Sequence, residues 1–108
     1  MNMTYSDPIT GDFVYEPLMN DTLIYQVIRT TAHTITVRKT LQGRLVRSDD
    51  NGSPYPSCWY AADPDPFGHT MTLRRRKNTG RFEWRKGLPV RHAPRIDGVP
   101  VKFVDYRY

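Results

Sequence analysis

Seven side chains near the end of the chain have the types and spacing to hold an anion. They are Arg74, Arg76, Arg81, Arg85, Arg91, His92 and Arg95. Between Arg74 and Arg95 there are nine basic residues and one acid, Glu83, so eight net positive charges fall within 22 residues. A field this concentrated attracts a negatively charged ligand. Arg dominates, and its planar fork grips phosphate or carboxylate in two places and stacks on bases. Aromatic residues lie inside and beside the run. Trp59 and Tyr60, on an adjoining strand, are candidate stacking surfaces, while the alternation that places Phe82 and Trp84 on one inner face favours core positions for both. Basic residues with stacking rings on a sheet suit nucleotides or single nucleic-acid strands. Arg91, His92 and Arg95 lie in a Pro-stiffened segment expected to close over such a ligand.

Catalytic chemistry has weaker support. Cys58 with His33, His69 or His92 could make a thiol–imidazole pair, but Cys58 lies in an apolar strand beside Trp59, as an inert buried thiol does. Asp63, Asp65 and His69 could cluster around a metal or a proton, yet Pro64 and Pro66 make a stiff turn the better reading. Asp49-Asp50-Asn51-Gly52 lacks the ligand spacing and closing Glu of a calcium loop. No Gly-rich phosphate loop precedes a helix, and no helix-turn-helix or zinc finger is present. No catalytic residue, metal or cofactor is expected.

The charge is uneven along the chain. Residues 1–54 carry a net of −1 and residues 55–108 a net of +6, which together give the overall +5. No apolar run is long enough to span a membrane. The first 20 residues have no Lys or Arg, unlike a signal peptide. A lone Cys excludes an internal disulfide, so a reducing cytoplasm is the expected compartment. At 108 residues the chain fits one small domain, for which self-association is a common source of stability.

The elements that must position these residues read as strands. Nine Pro and seven Gly cut the chain into short pieces. The longest piece without either, Leu18 to Gln42, is rich in Thr, Val and Ile, which favours strands over a helix. Thr22 to Arg29 is apolar on both faces, as in a central strand. Thr30 to Ala32 turns the chain into a strand that alternates His33, Ile35 and Val37 with Thr34, Thr36 and Arg38. Arg44 to Arg47 and Ser57 to Ala62 pair through an Asn51-Gly52 turn. Pro54 and Pro56 make the returning strand start late, at an edge. Asp63 to Gly68 is a rigid connector.

His69 to Lys86 reads as one long hairpin, with Arg75 opposite Phe82, Leu73 opposite Trp84 and Arg74 facing Glu83. Arg81 and Arg85 fall on its outer face. Val101 to Tyr106 closes the fold. The expectation is a single, mainly β domain over 1–108, of six to seven short strands in a small barrel or strongly curved antiparallel sheet. Residues 1–20 form an N-terminal segment and residues 87–100 a Pro-rich loop.

Arg47-Ser48-Asp49-Asp50-Asn51-Gly52, Trp59-Tyr60, Asp63 to Gly68 and the Arg-rich hairpin ending in Phe82 and Trp84 resemble a group of small phage-encoded proteins. These share an Arg-x-Asp-x-Asn-Gly turn, an aromatic strand, an Asp-Pro-x-Gly turn and a closing Arg/aromatic strand. The resemblance covers residues 22–86. It implies a viral accessory protein that acts in the host cytoplasm by stoichiometric binding and carries over no catalytic residue. Three functions follow as expectations. The first is a non-enzymatic module holding a nucleotide signal or nucleic acid to counter host defence. The second is an inhibitor that binds an acidic host protein. The third is a small nucleotide-processing enzyme using Cys58 or His69.

Overall fold

The computed structural model describes residues 5–18, 22–49 and 56–105. Among these every regular element is a strand. They are β1 (Phe13–Pro17), β2 (Thr22–Thr30), β3 (Thr34–Lys39), β4 (Leu41–Asp49), β5 (Ser57–Asp63), β6 (Thr70–Arg74), β7 (Glu83–Arg85), β8 (Leu88–Pro89), β9 (Arg91–His92), β10 (Arg95–Ile96) and β11 (Val99–Asp105). Among the described residues no helix is long and apolar enough to cross a membrane.

All strand pairings are antiparallel. A five-stranded sheet runs β6-β3-β2-β1-β9, a four-stranded sheet runs β10-β11-β5-β4, and β7 and β8 form a small ribbon. The sheets do not close into a barrel. The chain passes from the first sheet to the second at Thr40. There both the amide and the hydroxyl of Thr40 donate to the carbonyl of Ile24, at 3.1 and 2.8 Å.

The two-faced apolar pattern of β2 explains its central position. Leu23, Tyr25 and Val27 join Val14, Ile35, Val37, Phe82 and Val90 in the main core. Ile24, one residue out of phase, packs with Ala62 and Ala93 on the opposite face. A period of two therefore supplies one strand to two cores.

The N-terminal segment supplies β1, which lies inside the first sheet with Val14 fully buried. Three expectations are corrected. The Pro-rich loop contains β8, β9 and β10, so residues 87–100 are not structureless. The strand after Pro56 is not an edge: β5 pairs with β4 on one side and β11 on the other. Both prolines precede its first residue, so no rung of its ladder is lost. The third correction is the long hairpin, which holds only at its tip. Arg75 does bridge Phe82, but β6 is the sheet edge and pairs only with β3, while β7 peels away to β8. The departure lets Phe82 and Trp84 pack onto the first sheet, where their burial outweighs a few more edge hydrogen bonds. The Asn51-Gly52 turn and Tyr106 lie outside the described residues.

Candidate anion-binding site

The tip between β6 and β7 is held by its own backbone and by two acids. Arg76 N donates to the Arg81 carbonyl and Gly80 N donates to the Arg76 carbonyl, both at 2.8 Å. Gly80 has φ +71°, and only Gly takes that conformation without strain. Beneath the tip, Arg75 makes four hydrogen bonds. Its Nη1 and Nη2 donate to the two Asp7 carboxylate oxygens at 3.0 and 2.9 Å, its Nε to the Ala32 carbonyl and its Nη1 also to the Gly80 carbonyl. The guanidinium lies 4.3 Å from the centre of the Phe82 ring. Hydrogen bonding to Asp7 raises its already high pKa. Tyr5 completes the brace by accepting from Phe82 N at 3.1 Å. Burial first, and then the neighbouring Asp7 charge, push the Tyr5 hydroxyl up, although its bond to the Phe82 amide opposes them.

Glu83 is the second acid, and its side chain is only 2 % exposed. Burial alone would raise its pKa. The amide of Gly87, the guanidinium of Arg81 and the hydroxyl of Thr79 together hold it below the usual carboxylate value. Arg81 Nη2 donates to Oε2 at 3.0 Å, and Arg76 Nε lies 3.6 Å from Oε1. Glu83 thus neutralises Arg76 and Arg81, where Arg74 was expected. Arg81 does not belong with Arg85 on an outer face. Its guanidinium turns inward to Glu83, while Arg85 is exposed on the ribbon.

Between this tip and the β2–β3 turn lies an open pocket of about 490 Å³, lined by His33, Arg74, Arg75, Arg76, Lys77 and Gly80. Arg75 N donates to the His33 carbonyl at 2.8 Å and so fixes the two walls together. Among the described residues no carboxylate lines this pocket. Asp7 pairs with Arg75 and Glu83 with Arg76, and among the described residues neither Arg74 nor Lys77 has an acidic partner. The pocket can accept an anion without displacing an internal ion pair.

The structure separates the remaining expected site residues. Arg91 and His92 lie on β9, at the edge opposite β6, four strand steps or about 19 Å along the sheet. His92 Nε2 is 2.9 Å from Asp12 Oδ2. Arg95 belongs to the second sheet and donates to the Gly98 carbonyl within its own turn. Trp59 is also on the second sheet, tilted against Phe103 at 5.1 Å, with Arg47 5.2 Å from its ring centre. Tyr60, next to it on β5, pairs with Lys102 and Leu45. Neither ring adjoins the basic tip; the aromatic residues beside it are Phe82, buried under Arg75, and Trp84. Trp84 is half-buried, packs 5.0 Å from Tyr25 and donates to the Tyr15 carbonyl.

The expected set therefore reduces to Arg74 and Arg76, joined by Lys77 and His33, which the sequence reading left out. Lys77 was assigned to a turn, and His33 reaches the site only because β3 pairs with β6. Cys58 is buried, with Ser48 Oγ 3.8 Å from its sulfur. Among the described residues no group of three His, Cys, Asp or Glu side chains could hold a metal. No family model matches this chain, and neither a curated protein nor a solved structure matches it.

Proposed function

We propose that the protein is a non-enzymatic binding module that holds a small phosphate-bearing nucleotide in the His33/Arg74–Lys77 pocket. One observation carries the reading: four cations and a histidine line a pocket of about 490 Å³ with no carboxylate among its described walls. That volume falls in the range of small-ligand sites. Arg74 and Lys77 would pair with phosphate oxygens, and Arg76, oriented by Glu83, would close the side of the pocket. The aliphatic stems of the arginines offer a surface for a base or sugar.

A small nucleotide is favoured over a nucleic-acid strand because, among the described residues, no row of exposed rings adjoins the basic tip. The resemblance to small phage proteins supports a viral accessory role, in which a nucleotide signal is sequestered from host defence in the host cytoplasm. An acidic host protein is the second reading, and it would use the same uncompensated charges.

Titration calorimetry with nucleoside mono-, di- and triphosphates, beside a single-stranded oligonucleotide, separates these readings. Saturable binding of a nucleotide, lost in Arg74→Glu and retained in Arg95→Glu, is expected. Binding that is confined to the oligonucleotide and falls steeply with salt would assign the face to nucleic acid instead. Absence of binding by every phosphate compound would refute the proposal.

A further inference from the structure

Phe67 is 94 % exposed, far more than Ile9 at 65 % or Leu41 at 54 %. The turn that carries it is rigid. Pro64 and Pro66 fix two backbone angles. Asp65 Oδ1 accepts from Phe67 N, and the Asp65 carbonyl accepts from Gly68 N, both at 3.0 Å. Gly68 lies so close to the Lys39 carbonyl that a Cβ there would collide with it. An aromatic ring presented this way loses little entropy on insertion into a partner. Asp65 stands two residues before the ring, while the Asp63 carboxylate lies against Gly43 of β4 and Arg38 packs beside Gly68.

The matching socket is on the same molecule. The Phe67 knob precedes β6, and the basic pocket lies at the other end of that strand. Five residues of strand separate the two by about 17 Å, so they cannot meet within one chain. Between copies they are complementary. A ring fits against arginine stems and guanidinium faces, and the Asp65 carboxylate beside it pairs with Arg74 or Lys77.

We propose that the Phe67 knob of one copy inserts into the His33/Arg74–Lys77 pocket of a second copy. The contact is head-to-tail, so copies add in series or close into a ring. A phosphate ligand occupies the same pocket and dissolves the assembly. The inference shares its socket with the proposed function but requires Phe67, which ligand binding does not.

Sedimentation velocity of the full chain over a concentration series tests it. Wild type is expected to self-associate at low salt and to become monomeric on addition of a bound nucleotide or high salt. Phe67→Ala, with its pocket intact, and Arg74→Glu/Lys77→Glu, with its knob intact, are each expected to be monomeric. Mixed, they are expected to form a one-to-one dimer, because one supplies the socket and the other the knob. Thermal unfolding checks that both variants fold. A monomeric wild type, association that survives Phe67→Ala, or failure of the two folded variants to pair would overturn the inference. Nucleotide binding by Phe67→Ala is a separate readout. If it persists while wild type stays monomeric, the inference fails and the proposed function stands; association without nucleotide binding reverses that outcome.

Discussion

Phe82 and Phe67 stand in the two turns that flank β6, and they have opposite fates. Phe82 is 2 % exposed and lies beneath Arg75, while Phe67 is 94 % exposed. The basic turn is held by one distant acid, Asp7, which fixes Arg75 over the buried Phe82 ring, and by one acid of its own, Glu83, which pairs with Arg81 and Arg76. The proline turn carries no ion pair of this kind: two prolines and an Asp side chain bonded two residues on stiffen it, and Gly68 docks it on the Lys39 backbone of β3. Ion pairs frame a basic cavity; a stiff, uncharged backbone support leaves a projecting ring. Rigidity reached by either route can present a functional surface, but the two routes fail differently.

The sharpest test of this contrast is truncation of both rings. Phe82→Ala should cost about 3–5 kcal/mol in urea unfolding, since it opens a cavity in the main core. Phe67→Ala should change stability by no more than about 0.5 kcal/mol. Similar losses would erase the distinction.

The glycines give a smaller effect. Gly68→Ala should cost about 1–3 kcal/mol, because its methyl group meets the Lys39 backbone. Gly80→Ala meets nothing but must hold a left-handed conformation, at roughly 1–2 kcal/mol. Denaturation midpoints of the pair compare steric with conformational constraint directly.

Acid should distinguish the turns next. The Glu83 carboxyl is depressed in the folded state. Its contribution is therefore present above the ordinary carboxylate range and is lost as pH falls through its lower folded value. The stability difference between wild type and Glu83→Gln should shrink over that window. A difference that does not change with pH would mean that Glu83 is not ionised in the fold. The smallest effect belongs to Arg85→Glu, which should stay within about 0.5 kcal/mol of wild type, since Arg85 is exposed on the ribbon. Arg81→Glu, placed against buried Glu83, should be clearly worse in the same assay.

The β character was legible wherever partners are close in sequence. Alternation at Ile35 and Val37 and the two-sided apolar run of β2 led directly to the β2–β3 hairpin. The late start of β5 followed from Pro54 and Pro56. What remained hidden depended on distant contacts. The five residues of β1 include Glu16 and end at Pro17, so they look weak in isolation; their register is set by β2 and β9. The split of the long hairpin reflects a competition between edge pairing and burial of Phe82 and Trp84, which alternation alone cannot resolve. The same limit applied to the site. Charge density pointed to Arg74 and Arg76, but it could not separate them from Arg91 and Arg95, because the strand order that sends β9 and β10 elsewhere is a tertiary property. Asp7 holds Arg75 across a separation of 68 residues.

The central claim is that the cations gathered at the β6 tip, and not the basic segment as a whole, form the binding site. Calorimetric titration of one nucleoside triphosphate into Arg74→Glu/Lys77→Glu and into Arg91→Glu/Arg95→Glu tests it most directly. Both double variants change the net charge equally. Binding should disappear in the first and persist near the wild-type affinity in the second. Equal weakening in both would show that the ligand responds to overall charge, and would contradict the account.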